Sequence, residues 1–184
     1  MNMGVDSNLH AKPRRRANFR SCNVSSYTSE VLEIQSDAPT LHVLFFPGNP
    51  GVILFYKYFL EFLYELLEGT ASVTAIGHVS HSRKNLEHGC MFSLQEQINY
   101  KFSEAPDWTF MREREAQKAF LFGVDDHWGP LHLLEEISKQ VPGMAISIER
   151  ENHTHGFCCT EAGSLWVAQH VVNLIKNPMA CSNQ

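Results

Sequence analysis

No apolar run in this 184-residue chain is long enough to cross a bilayer. Its most apolar stretch, Val52 to Leu67, carries Lys57, Glu61 and Glu65, and as a helix it would reach only about 24 Å at 1.5 Å per residue. That stretch is a core helix. No apolar leader opens the chain, and the five cysteines (Cys22, Cys90, Cys158, Cys159, Cys181) are odd in number, without metal-finger spacing. A reducing, intracellular compartment follows. A continuous basic face is also lacking. Five of the 15 Lys and Arg (Lys12, Arg14, Arg15, Arg16, Arg20) sit in the first twenty residues beside one acid, Asp6, leaving 10 cations against 19 acids in the remainder. An acidic body with a short basic tail is not the footprint of a nucleic-acid binder. Internal repeats, low-complexity segments, a C-x-x-C pair and an H-E-x-x-H helix are absent, so no metal site or cofactor is expected. There is also no G-x-S-x-G, the strained turn that presents a serine nucleophile.

What is present suits one globular domain: 43% hydrophobic and 19% charged residues. Leu41 to Phe46 reads as a strand buried on both faces, and Pro47 to Gly51 as a turn in which the backbone reverses and approaches something closely. From Val52 to Glu68 the charges Lys57, Glu61, Glu65 and Glu68 fall on one stripe of a helix, which Gly69 closes at the C′ position. A strand, a glycine-rich loop and a helix packed on the sheet place a site at the strand's carboxyl end, near Asn49.

Residues 1–18 read as a solvated basic tail and 178–184 as a second tail, flanking a single shortened domain over 19–177. Phe19 to Ser25, Glu30 to Gln35, Ser72 to Ile76, Ala119 to Val124 and Met144 to Ile148 are further strands; Ser93 to Phe102, Trp108 to Lys118, Leu131 to Val141 and Glu161 to Lys176 are helices. The pattern is α/β: a mostly parallel sheet flanked by helices. GVDDHWGP places Asp125 and Asp126 after one strand, and ENHTHGF places His153 and His155 after the next. Acid, histidine and an N–H-presenting loop in these places are three parts of a serine α/β-hydrolase.

FFPGNPG with FY after it, FSLQEQINYK, FGVDDHWGP, HTHGF and EAGSLWVAQHVVNLIKN together resemble the lipid-droplet-associated hydrolase family, especially its plant members, from about Ala17 to Asn177. The resemblance implies a serine ester or lipid hydrolase acting on neutral lipid or sterol esters, cytoplasmic or at a lipid-droplet surface. It implies Asp126 as the acid, His155 as the general base and the loop Gly48, Asn49, Gly51 as part of an oxyanion hole. Asn49 is the better donor because Pro50 has no N–H. His155 is preferred to His153 by the His-small-Phe pattern, and Asp126 to Asp125 by its spacing from Trp128.

The family's Gly-His-Ser-Ile-Gly elbow is missing. The chain passes from Lys101 and Phe102 directly to SEAPDW, which resembles family sequence beyond the elbow and lid. Two family-like halves, 19–102 and 103–177, meet as in an internally deleted product. Removing the elbow strand leaves an open place beside Leu41 to Phe46, and Ala119 to Val124 is the strand available to fill it. Ser80 lacks the flanking glycines of an elbow. Cys158 and Cys159 read as small buried hydrophobes, and a metal set of His153, His155, Cys158 and an aspartate has no supporting motif. His127 reads as a loop-orienting residue, and Trp128 and Trp166 as core or pocket wall. Two functions compete: an impaired lipid hydrolase, and a non-catalytic remnant that binds an acyl ligand or partner or is unstable.

Overall fold

The computed structural model describes residues 17–24, 27–48, 51–78, 81, 106–153 and 155–177. The expected helix over Ser93 to Phe102, residues 1–16 of the first tail, the second tail, Asn49, Pro50 and Ser80 lie outside them, while Asn18, expected in the tail, opens a strand.

Two strands open the described chain. β1 (Asn18–Val24) and β2 (Tyr27–Ile34) pair antiparallel, with Phe19 opposite Leu32 and Arg20 opposite Val31. β3 (Leu41–Phe45) leads through a 3₁₀ turn, Ile53–Tyr56, into α1 (Lys57–Leu66) and then β4 (Ala71–Ile76). β3 and β4 are parallel, so α1 is the crossover of a β-α-β unit. β2 pairs antiparallel with the other side of β4, giving a mixed sheet of order β1-β2-β4-β3.

α1 explains its own sequence. Phe59, Leu60 and Leu63 are buried, while Lys57 and Glu61 pair at 2.9 Å one turn apart. The helix ends one residue earlier than the glycine rule suggests. Glu68, not Gly69, stands at C′ with φ of 57°, and Gly69 follows at 70°. The Glu68 N–H reaches the Glu65 carbonyl at 2.8 Å and the Gly69 N–H the Tyr64 carbonyl at 3.1 Å, the paired bonds of a Schellman ending.

The second half repeats the β-α-β plan. α2 (Trp108–Glu113) is capped by Asp107, whose carboxylate accepts the Phe110 N–H at 2.9 Å; it is shorter than expected, and a 3₁₀ turn covers Glu115–Gln117. β5 (Ala119–Gly123), α3 (Leu131–Gln140) and β6 (Ala145–Glu149) follow, with β5 and β6 parallel. α4 (Glu161–Lys176) closes the described chain, its N-cap Thr160 accepting the Gly163 N–H at 3.1 Å.

The first sheet's core joins Leu32, Ile34, Val73 and Ala75 to α1 and to Val167, Ala168 and Val172 of α4. A smaller cluster, Phe122, Ile137, Val141 and Met144, holds β5, α3 and β6 together. The place beside β3 is not filled as expected. Among the described residues β5 pairs with β6 and not with β3, because α3 ties those two strands into a unit with its own core. Leu41 to Phe46 is consequently not buried on both faces. Exposure alternates along β3, with Leu44 at 58% and Phe46 at 63%. In β5 only Phe122 is buried, and Val124 just beyond it is exposed.

Candidate active site

β5 leads to the candidate acid, Asp126. After Gly123 the chain turns so tightly that the Asp126 N–H reaches back to the Gly123 carbonyl at 3.3 Å. A Cβ on Gly123 would come within 3.3 Å of Asp126 Cβ. Asp126 Oδ1 accepts the N–H groups of Trp128 at 2.8 Å and Gly129 at 3.1 Å, an aspartate turn that fixes the carboxylate by its own backbone. Oδ2 is left for the histidine. His155 Nδ1 lies 2.9 Å from it.

β6 leads to the candidate base, His155. The Val124 N–H binds the Glu149 carbonyl at 3.2 Å, tying the ends of the two strands together. Glu149 is buried, and its Oε1 accepts the N–H of Glu151. Asn152 takes a left-handed backbone, φ 64°, and the chain turns into the 3₁₀ segment Phe157–Cys159. The Asp126 side chain is 11% exposed and that of His155 55%. With Nδ1 donating to the carboxylate, the neutral ring keeps a lone pair on Nε2, and among the described residues Nε2 has no partner. Burial alone would raise the Asp126 carboxyl. The hydrogen bonds from His155 and from the Trp128 and Gly129 N–H groups outweigh it and hold the group below the usual carboxylate range.

The glycine loop is tied to the same edge through aromatic rings. Tyr56 packs against Phe45 at 4.9 Å and against Phe157 at 5.9 Å between centroids, and Phe59 meets Phe157 at 5.5 Å. The Tyr56 hydroxyl lies against the Gly48 backbone and the Cys158 thiol. Gly51 is buried, and its N–H is already donated to His81 Nδ1 at 2.9 Å.

Of the remaining candidates, Trp128 stands beside the pair and the others do not join it. His153 turns to Trp166, 5.8 Å between centroids, and Trp166 stacks on His170 at 5.6 Å and 3°. Asp125 is exposed. Trp128 is 77% exposed and so is not core, and its ring stands 6.5 Å from His155. Burial, with Cys159 beside it, pushes the Cys158 thiol up to about 11, the reverse of an activated thiolate. Among the described residues no group of three His, Cys, Asp or Glu side chains could hold a metal ion. Nor, among them, is any helix long and apolar enough to cross a membrane. Sequence reasoning passed over Tyr56 and His81. The first is visible only as the FY after the loop, and the second lies among polar residues after β4 that carry no motif.

The sequence matches the family described as Lipid-droplet associated hydrolase over residues 39–104 and 103–158. The chain belongs to this family. No curated protein matches it. Among solved structures, a predicted CIB-like hydrolase from Thermoplasma acidophilum is similar at 13% identity and a TM-score of 0.57, over 88% of this chain and 98% of that one. An alpha-beta serine hydrolase homologue from Coxiella burnetii is similar at 10% identity and a TM-score of 0.48, over 85% and 96%. The first of these likenesses shows the fold alone, an α/β arrangement of strands and flanking helices. This lipid-droplet hydrolase family member carries its carboxylate and histidine after consecutive parallel strands.

Proposed function

We propose that this member of the lipid-droplet hydrolase family keeps the acid–base part of a lipid-ester hydrolase and lacks the serine part, so that its hydrolysis is impaired. One observation carries the reading. Asp126 and His155 stand 2.9 Å apart with Nε2 unpartnered among the described residues, in a chain without G-x-S-x-G. In a complete site, Nε2 would take the proton of a serine hydroxyl as it attacks an ester carbonyl. Asp126 would hold the tautomer and stabilise the imidazolium without itself being protonated. Asn49, in the loop after β3, would supply the N–H facing the developing oxyanion, since the Gly51 N–H is held by His81.

The family description supports a lipid substrate and a lipid-droplet location; within it we take the substrate to be a neutral lipid or sterol ester and the location to be the droplet surface or the cytoplasm. The two matched segments meet at residues 103 and 104, where the sequence changes from NYKF to SEAPDW, which supports an internal deletion. Without the nucleophile, only a residual acceleration on the order of 10³ over water is expected from oxyanion contacts and binding. A second reading, binding of an acyl ligand without turnover, is favoured by the exposed Phe46, Val124 and Trp128 near the carboxyl ends of β3 and β5.

A fluorophosphonate probe read by intact mass tests the first reading, with His155→Ala as control. The expected result is no adduct on a cooperatively melting chain. Stoichiometric labelling that disappears in the variant would show a rebuilt active site and overturn it.

A further inference from the structure

Two histidines outside the acid–base pair grip the loop after β3. His81 is buried, 8% exposed, and its Nδ1 accepts the Gly51 N–H at 2.9 Å. The Gly51 carbonyl accepts the His78 N–H at 2.9 Å, and the His81 N–H returns to the His78 carbonyl at 3.0 Å. The contact is close enough to need glycine. A Cβ on Gly51 would lie 2.1 Å from His78 Cγ. Gly77 closes the cluster from the end of β4, where an added Cβ would lie 3.1 Å from the Gly51 carbonyl.

An imidazole nitrogen accepts a hydrogen bond only when unprotonated. With the clamp closed, His81 is therefore neutral and carries its proton on Nε2. Protonation makes both ring nitrogens donors, so Nδ1–H would face the Gly51 N–H, donor against donor. We propose that His81 is a pH-gated clamp on the glycine-rich loop after β3: neutral His81 holds the Gly51 N–H, and acid releases it.

The surroundings fit this role. Burial, with His78 beside it, holds His81 below the ordinary histidine range, so the closed form prevails at neutral pH. Among the described residues, His78 is a titratable side chain facing the ring, 5.4 Å away between centroids, while Gly51 and Gly77 bring no side chain to it. The closed clamp withholds from any bound anion a backbone donor that the open one supplies. That consequence for an oxyanion rests on the function proposed above; the clamp itself does not.

Amide hydrogen exchange and imidazole ¹⁵N shifts of the full chain test the clamp between pH 8 and 5. The Gly51 protection factor, corrected for intrinsic exchange, is expected to fall about tenfold as His81 protonates. In His81→Gln, whose side-chain oxygen accepts at every pH, the step should vanish with protection retained. In His81→Phe protection should be low throughout. Protection that ignores pH in the native chain, or a step that survives in His81→Gln, overturns the proposal. Should His81→Phe fail to fold, the glutamine variant decides alone. Because the readout is a backbone amide, its outcome is independent of fluorophosphonate labelling.

Discussion

The two halves of the molecule are built on the same β-α-β plan but packed to different depths. Around the first sheet, Leu32, Leu60, Ala71, Val73, Ala75 and Ala168 are completely buried. In the second half Val141 alone of the cluster reaches that state, and Phe122, Ile137 and Met144 retain 7 to 9% exposure. Stability resides in the first half, and the candidate acid–base pair stands on the second. α4 joins them. It follows the histidine loop yet buries Val167, Ala168 and Val172 in the first core. A thin layer can hold Asp126 and His155 in place because their geometry is secured locally, by an aspartate turn and by the Val124–Glu149 tie, and needs little from a deep core.

The sharpest way to break this comparison is Leu60→Ala. Removing that side chain from a fully buried site should cost about 3 to 5 kcal/mol. Denaturant melting and hydrogen exchange should then show both halves failing together, because α4 loses its seat. Surviving protection in β5 and β6 would mean that the second half stands independently. Ile137→Ala should cost less, about 2 kcal/mol, with protection lost in β5, α3 and β6 while β2 and β4 keep theirs. A smaller effect isolates the pair itself. The lowered Asp126 carboxyl contributes stability that is present above the ordinary carboxylate range and is lost as pH falls through it. Asp126→Asn should cost about 1 kcal/mol near neutral pH and flatten that part of the acid melting profile below about pH 5.

Much of this was legible in the sequence, and the limits have physical causes. β3, α1 and β4 follow from an apolar run, a charge stripe and a second apolar run, because those patterns are local. Hydrogen-bond partners are not. An apolar strand between two sheet neighbours and one at a sheet edge read alike, so the exposure of Leu44 and Phe46 and the pairing of β5 with β6 were not visible. Asp126 and His155 came from a family resemblance, and their 2.9 Å approach depends on turns after two different strands. His81 lay hidden because nothing local marks a histidine that accepts from a glycine thirty residues earlier.

α4 also sets a schedule for synthesis. Lys176 Nζ bonds the Leu66 carbonyl at 3.3 Å across 110 residues of sequence, and Val172 belongs to the core that α1 begins. At 5 to 20 residues per second, roughly 5 to 20 s separate emergence of α1 from that of its last partner. Throughout that interval the nascent chain presents Phe59, Leu63 and Val73 without the last helix of their core, so the first core closes only when α4 arrives.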